Sequence, residues 1–249
     1  MLLQQLQAAG AALAPVLEEV AKAPIKPNRC LTGALWEREQ ARTAASPTAQ
    51  AAAAVRLPLR PAASLQELLL TLNRSLPRAT LTPLLGNAAT EQLDQATCVH
   101  LRLGDTLAAV VLLQQPGGLA PLHAAVLSVK EGALPLASIW AVSRHAAFRR
   151  VTEAAAAALR HFETEAEASP CSVLERLLLW LATYSDLFTR SSAASDRLLV
   201  LDEGEGALLP PCWRPCRLSW QQLWAAALDP GGRTALHAEH AEGQLLPNM

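Results

Sequence analysis

Two amphipathic segments in the second half of the chain constrain its fold more than any other feature. In the first, apolar side chains recur at steps of three and four and form one stripe along a helix of about 20 residues. This stripe consists of Phe148, Val151, Ala155, Ala158, Leu159 and Phe162. The second runs from Val173 to Phe188, and Ser169-Pro170 supplies the capping oxygen and the proline typical of a helix start. Its stripe consists of Val173, Leu177, Leu181, Tyr184 and Phe188, with Leu174, Leu178 and Trp180 beside them. A stripe this broad predicts a helix covered from two sides.

A shorter helix precedes them. Ser64 and Glu67 have capping-box spacing, in which each side chain satisfies an exposed backbone N–H of the first turn. Leucines then recur on one face as far as Leu72, which predicts the buried side of this helix.

Between these helices the apolar pattern changes from helical to strand-like. Apolar and polar residues alternate from Val99 to Leu103, and Gly104-Asp105 is a plausible hairpin turn. The runs from Leu107 to Leu113 and from Leu122 to Val129 follow as further strands. This order predicts an α+β fold in which a small antiparallel sheet of about three to four strands packs, on one face, against the two long helices. It resembles RWD-type interaction domains by element order alone.

The N-terminal residues predict a separate helical part. Leu3, Leu6, Leu13 and Leu17 fall largely on one face of an amphipathic helix. This face is interpreted as one side of a helical bundle between subunits; the alternative is a helix folded back on its own domain. The predicted organisation is a bundle-forming helical segment (1–43), an Ala/Pro-rich linker (44–63), an α+β core (64–190), a Trp-rich loop and short helix (191–228) and a mobile tail (229–249).

The tryptophans divide into two predicted roles. Trp140 and Trp180 lie in or beside helical apolar runs and are assigned to the core together with Phe148, Val151, Leu159, Tyr184 and Phe188. Trp213, Trp220 and Trp224 follow the core, and aromatic side chains are enriched at interface centres. These three are therefore predicted to contact a partner, with core packing as the alternative. The segment from Thr189 to Gly206 is polar and predicts a loop.

Composition excludes several classes of function. A net charge of −1 without clustered Lys and Arg argues against direct nucleic-acid binding. Five scattered cysteines suit reduced thiols of the cytosol or nucleus. Residues 1–17 lack the basic start of a signal peptide, and no run reaches the roughly 20 apolar residues that span a bilayer.

The sequence offers no residues for catalysis and predicts no cofactor. It contains no phosphate-binding glycine loop, no nucleophile elbow and no dinucleotide fingerprint. His161 has no nucleophile at a recognisable spacing and is interpreted as structural. Cys212, Cys216, His237 and His240 have the ligand types of a structural zinc site. Buried or partly exposed thiols and a solvated tail are favoured over zinc, because the two histidines are closely spaced in a Gly- and Ala-rich tail.

Two ordered runs carry a family resemblance. The first is Ile139-Trp140-x-x-Ser143-x4-Phe148-x-x-Val151-Thr152-x-x-Ala155-x-x-Ala158-Leu159-x-His161-Phe162. The second is Trp180-Leu181-x-x-Tyr184-x-x-Leu187-Phe188, followed by Leu209-Pro210-Pro211-x-Trp213-Arg214. Together they span roughly the last half of the chain, and they resemble subunit 27 of the Mediator complex.

The resemblance implies a non-enzymatic scaffold in the tail region of a nuclear coactivator that relays signals from DNA-bound transcription factors to RNA polymerase II. Its implied partners are Mediator subunits 28, 29, 30 and 14, in a hetero-oligomer. Many family members carry a Cys-x-x-Cys pair and a later His and Cys, where this chain has Ser192, Ser195, Leu223 and Ala226. These side chains are poor zinc ligands or none, so no metal is expected there. The alternative is an unrelated RWD-like adaptor of another nuclear or cytosolic assembly.

Overall fold

A computed structural model describes residues 60–85, 88–131, 140, 142–229 and 235–237. These contain four α-helices: α1 (Leu65–Ser75), α2 (Ala146–Thr164), α3 (Val173–Ala182) and α4 (Trp220–Leu228). The strands are β1 (Ala79–Leu85), β2 (Ala88–Ala89), β3 (Cys98–Leu103), β4 (Leu107–Leu113), β5 (Pro121–Leu127), β6 (Val200–Asp202) and β7 (Ala207–Leu209). None of the helices in these ranges is long and apolar enough to cross a membrane. The predicted N-terminal helices and nearly all of the predicted linker lie outside the described residues.

Helix α1 starts at the predicted cap. The Ser64 hydroxyl accepts from the Glu67 N–H at 3.2 Å, and the Glu67 carboxylate accepts from the Ala63 N–H at 2.9 Å. The reciprocal bond thus reaches one residue further back than a standard capping box. The leucine face of α1 is buried as far as Leu72.

The main sheet is antiparallel, with strand order β2-β1-β3-β4-β5. The hairpin between β3 and β4 lies at the predicted place, but Leu103 pairs with Leu107 and leaves three residues in the turn. Gly104 opens this turn at φ +49°, where a side chain would be strained. Four strands of six or seven residues plus the two-residue β2 confirm a small antiparallel sheet in an α+β fold.

Strand β1 was not predicted from the sequence. It pairs with β3 from Ala79↔Leu103 to Leu84↔Cys98. Two threonines and Pro83 interrupt its apolar residues, and proline is unusual inside a strand, so this short run gives only a weak strand pattern. The side chain of Asn73 helps to fix it, because it accepts from the Leu81 N–H at 2.7 Å and donates to the Leu81 carbonyl at 3.0 Å.

The apolar stripes of α2 and α3 form one continuous core with the sheet. One sheet face contributes Val99, Leu101, Val111 and Val126 to the same buried cluster as the helical stripes. On α2, Thr152 accepts from the N–H of Val126 on edge strand β5 at 2.9 Å, which ties the helix to the strand. The opposite sheet face has a smaller cluster of Cys98 and Val110, packed against Leu84 and Leu112.

Helix α3 begins and ends within its predicted range. Its capping oxygen is that of Ser172, which accepts from the Glu175 N–H, and the Ser169 hydroxyl instead contacts the Cys171 thiol at 3.3 Å. The predicted start at Ser169-Pro170 is thus displaced by three residues. After Ala182 the chain continues as a 3₁₀ turn, Thr183–Asp186.

The predicted loop after Phe188 is only partly irregular. Its second half contributes β6, which pairs with β7 in the register Val200↔Leu209, Leu201↔Leu208 and Asp202↔Ala207. Helix α4 then has the Ser219–Gln222 capping box and buries Leu223, Trp224 and Ala226. Leu223 and Trp224 belong to the main core cluster.

Candidate interaction surface

The three C-terminal tryptophans occupy different environments. Trp224 is 1% exposed and part of the core, so its predicted partner contact is corrected. The reason is that the apolar face of α4 closes over α3 and carries this side chain inward. Trp220 and Trp213 are half-buried and keep accessible surface.

A buried carboxyl group fixes the positions of Trp220 and Trp224. Glu175 on α3 is 2% exposed, and its Oε1 accepts from the indole N–H of Trp220 at 2.7 Å and of Trp224 at 3.3 Å. Its Oε2 accepts from the backbone N–H of Ala62 at 3.3 Å. Among the described residues no cation forms an ion pair with it, so neutral donors satisfy this carboxyl. Glu175 therefore joins α3, α4 and the segment that precedes α1.

Its neighbour Arg176 is also buried and contacts α2. The guanidinium lies 4.4 Å from the Phe162 ring centre, and its Nη2 donates to Glu165 at 2.7 Å. His161 on the same part of α2 has a lowered pKa, mainly because burial disfavours its charged form, while Glu165 acts in the opposite direction. His161 thus belongs to the contact between α2 and α3. A cleft of about 330 Å³ beside this contact is lined by Glu165, Arg176, Arg217, Ser219 and Trp220, with Pro170 at its edge.

The Pro-Pro-x-Trp-Arg run is anchored by its arginine. Arg214 is 3% exposed, pairs with Asp186 at 3.1 Å and donates to the Pro211 carbonyl at 2.6 Å. The guanidinium also lies 4.9 Å from the ring centre of Tyr184, whose hydroxyl donates to the Cys212 carbonyl at 2.9 Å. Burial raises the pKa of Tyr184, so this hydroxyl stays protonated.

Arg214 thereby holds the backbone on which Trp213 is mounted. The Trp213 backbone pairs with Leu236 in both directions, at 3.0 and 3.1 Å. The segment 211–214 is thus fixed on one side by Arg214 and on the other by residues 235–237. The half-buried indole of Trp213 therefore projects from a backbone that is held in place.

Two aromatic residues assigned to the core are exposed. Trp140 is 69% exposed and stacks on His123, with ring centres 4.8 Å apart. It precedes the start of α2, so the helical stripe does not include it. Phe188 is 44% exposed, because it lies beyond the C-terminal end of α3. Its ring makes an edge-on contact with the ring of Phe148. The other assigned core residues, Phe148, Val151, Leu159, Trp180 and Tyr184, are buried.

The remaining expected contact residues, Leu3, Leu6, Leu13 and Leu17, lie outside the described part of the chain.

The zinc candidates that the structure describes, Cys212, Cys216 and His237, have different neighbours. The Cys212 thiol lies 3.7 Å from the Ala147 carbonyl, and burial raises its pKa to about 12. Burial also raises the pKa of Cys216. The buried His237 ring contacts the Arg197 carbonyl at 3.2 Å, and His240 lies outside the described residues. Within the described ranges, no three His, Cys, Asp or Glu side chains form a metal-binding group.

The positions that align with the family's metal ligands also lie in different environments. Leu223 and Ala226 are buried on α4, whereas Ser192 bonds Arg197 through its backbone and its neighbour Ala193 bonds the Ala235 carbonyl. The loop at 192–195 therefore lies against residues 235–237. Leu223 and Ala226 contribute side chains to the core instead.

Sequence reasoning missed the charged residues that organise this region. Glu175 and Arg176 sit within the otherwise apolar run of α3, and such charges inside a buried helix face signal paired or hydrogen-bonded groups. It also missed the hairpin of β6 and β7. The signal was available, because Leu198–Leu201 and Ala207–Leu209 are apolar runs separated by an acidic turn that contains two glycines.

Comparison with known proteins agrees with the resemblance. Residues 137–241 match the family model described as Mediator complex subunit 27. A protein of Arabidopsis thaliana, Mediator of RNA polymerase II transcription subunit 27, is 29% identical over 125 residues. That match covers 50% of this chain and 30% of the Arabidopsis protein. The region matched by the family model contains α2, α3, the β6–β7 hairpin and α4, and in this region the chain is similar to the Mediator complex subunit 27 family.

Proposed function

We propose that this chain is a structural subunit of the Mediator coactivator complex, which acts in the nucleus in regulated transcription by RNA polymerase II. It serves in the tail region and relays signals from DNA-bound transcription factors through protein–protein contacts. Subunits 28, 29, 30 and 14 are its proposed neighbours, and its role is non-enzymatic.

The observation that carries this proposal is the family match over residues 137–241. The same residues contain the buried contacts of Glu175 and Arg214, which hold neighbouring side chains in place. The charge balance of −1 suits protein partners better than nucleic acid.

Trp213 is the proposed contact residue on the C-terminal segment. Its backbone is fixed by Arg214 and Leu236, and its half-buried side chain keeps accessible surface. A large aromatic side chain on a rigid backbone loses little conformational entropy on binding, as interface anchors do.

Affinity purification of the tagged full-length chain from nuclei tests this function. We expect mass spectrometry to identify other Mediator subunits in the eluate. Recovery of a large assembly without any of them would overturn the proposal.

Trp213→Ala tests the contact itself. We expect reduced recovery of the other subunits, with a thermal melting temperature close to that of wild type. Trp140→Ala is the control, because Trp140 is 69% exposed and precedes α2. Severe melting of the isolated Trp213→Ala protein would show that Trp213 is a core residue instead.

A further inference from the structure

The cleft of about 330 Å³ lies between the C-terminal end of α2 and the start of α4. Its wall consists of Glu165 and residues 168–170 after α2, Arg176 of α3, and residues 217–221. Sites for small molecules are mostly larger than this and lined by apolar side chains. A small cleft with charged groups in its wall is better suited to one or two side chains of a protein partner.

Arg176 places a donor without an acceptor in this wall. The residue is 3% exposed, its Nη2 donates to Glu165, and its guanidinium lies over the ring of Phe162. These contacts fix the side chain in one position. Its Nη1 is also buried, and it makes no hydrogen bond with any residue that the structure describes. A buried charged donor is costly to leave unsatisfied, so this nitrogen favours an acceptor in the cleft that Arg176 lines.

The first turn of α4 adds backbone donors. Its capping box satisfies two N–H groups, because the Ser219 hydroxyl accepts from the Gln222 N–H at 3.3 Å and the Gln222 amide oxygen accepts from the Ser219 N–H at 2.8 Å. The N–H groups of Trp220 and Gln221 have no acceptor within the helix, and both residues line the cleft. The positive end of the helix dipole also favours an anion at this place.

The charges of the wall indicate a monovalent anion. Arg176 and Arg217 are cations and Glu165 is a carboxylate, so the excess is two minus one, or one positive charge. Arg217 is exposed and makes no ion pair within the described part of the chain. The carboxyl of Glu175 is bonded to the two indoles and the Ala62 N–H and does not line the cleft. One carboxylate balances the excess, whereas a phosphate group carries about −1.5 to −2 and would add negative charge beside Glu165.

The apolar part of the wall favours a carboxylate that belongs to a peptide. Trp220 is half-buried, and its indole N–H is held by Glu175 at 2.7 Å, so the ring has a fixed position. Pro170 and Leu218 also line the cleft. A free carboxylate ion would gain nothing from these surfaces, but a side chain next to an Asp or Glu in a peptide buries apolar area against them.

We propose that this cleft binds an Asp or Glu side chain in a peptide segment of a neighbouring subunit. Arg217 and the N–H groups of Trp220 and Gln221 bond the carboxylate, Arg176 adds its charge, and an apolar neighbour of the acidic residue packs on Trp220. This deepens the proposed scaffold function and rests on it for the source of the peptide.

Zero-length crosslinking in the assembled complex identifies the acidic residue. Arg217→Lys keeps the positive charge and introduces an amine, which a water-soluble carbodiimide joins as an amide to a carboxylate in direct contact. Wild-type protein is the control, because a guanidinium does not react in this way and the chain has lysine only at positions 22, 26 and 130. The tagged variant is purified from nuclei, treated with the carbodiimide and analysed by mass spectrometry.

We expect a crosslink between position 217 and an Asp or Glu of another subunit, with an apolar residue beside it in sequence. A crosslink confined to Glu165 or to another carboxylate of this chain would overturn the proposal. So would the absence of any crosslink at position 217 in a complex that has assembled.

Charge reversal measures the contribution of the cleft. Arg217→Glu should lower recovery of the crosslinked subunit by about tenfold at low salt and by less at high salt, since one attraction is lost and a repulsion of similar size is added. Arg160→Glu is the matched control, because Arg160 is an exposed arginine of α2 outside the wall of the cleft. Equal recovery with the two variants would refute the site. Phosphatase treatment of the wild-type complex should leave recovery unchanged, and loss of the subunit after it would assign the cleft to a phosphate instead.

The two proposals fail in different ways. If wild-type protein recovers no Mediator subunit, the scaffold function fails. If wild type recovers them and Arg217→Glu does so equally well, only the carboxylate site fails. Both substitutions at position 217 change an exposed side chain, so their thermal melting temperatures should stay close to that of wild type.

Discussion

Glu175 is the side chain on which the packing of α4 depends most directly. Removing its carboxyl leaves two indole N–H groups and the Ala62 N–H without their acceptor in a buried place. Each buried unsatisfied donor costs about 1–3 kcal/mol, and Trp220 is partly accessible to water. We expect Glu175→Ala to lower the free energy of unfolding by about 2–4 kcal/mol, measured by urea denaturation.

Glu175→Gln is the matched control. Its amide oxygen can still accept from the indoles, while its NH₂ group faces the Ala62 N–H and loses that bond. The loss should therefore be smaller than for alanine. If Glu175→Ala is as stable as wild type, desolvation of the carboxyl offsets all of its hydrogen bonds, and Glu175 does not hold α4 in place.

Trp224 provides a second test of the same contact. Its side chain is fully buried, so Trp224→Ala should cost about 3–5 kcal/mol of unfolding free energy. Loss of binding without loss of stability would return Trp224 to the interface that the sequence predicted.

Periodicity could not decide this point, because Trp220 and Trp224 recur at a helical step that fits either a core or a partner. What decides it is the hydrogen bond from the Trp224 indole to Glu175, a residue 49 positions away in sequence.

The hairpin of β6 and β7 depends on charge pairs with α2. The bond from Arg150 is the main cause that lowers the pKa of Asp202, and the Glu205 N–H lowers it further. A carboxyl whose folded pKa is depressed contributes stability above its unfolded pKa, near 3.9, and loses it as pH falls through the folded value. Asp202→Asn should therefore be less stable than wild type at pH 7, by about 1 kcal/mol or less because Arg150 is about a third exposed.

Acid titration of both proteins checks the sign. The stability difference between wild type and Asp202→Asn should shrink below about pH 4, as protonated Asp202 comes to resemble asparagine. Glu153→Gln is a useful comparison, because Glu153 also pairs with Arg150 but is mostly exposed. A difference that grows as pH falls would mean that Asp202 is not stabilised as a carboxylate.

Elements with a regular apolar period were predicted, whereas strands β1, β6 and β7, which lack one, were not. The stripes of α2 and α3 repeat over several turns, and the alternation in β3 covers a whole strand, so each pattern points to one structure. Strands β6 and β7 have three residues each, which is too short for a period to be recognised. Arg150 and Asp202, which anchor them, are 52 residues apart, and sequence spacing gives no sign of that contact.

The extent of the folded unit differs from the predicted division at residue 190. Leu223 and Trp224 lie in the same core cluster as the sheet and α1, and Ala62 is bonded to α3. The sequence predicted the α+β class because it follows from the order of elements. It could not show that α4 completes the core, since that depends on hydrogen bonds between side chains distant in sequence.

Limited proteolysis with trypsin tests these boundaries on the full-length chain. Arg56 lies in the predicted linker, whereas the exposed Arg217 precedes α4. Cleavage is slow where the backbone must unfold locally to reach the protease, so we expect early cuts in the linker and a resistant fragment that retains Trp220 and Trp224. Mass spectrometry of the fragment gives both ends.

Glu175→Gln makes the same experiment specific to the contact. Trypsin does not cut the Arg60–Pro61 bond, so this variant is digested with elastase, which cleaves after alanine. Loss of the Ala62 bond should increase cleavage after Ala62 or Ala63, while α4, still held by the indole bonds and by Leu223, should stay attached. Early release of α4 from wild-type protein by cleavage after Arg217 would restore the predicted core of 64–190 and make the C-terminal tryptophans an appended segment. Protection of Arg56 would instead argue against an open linker at 44–63, because an accessible arginine in an extended chain is cut first.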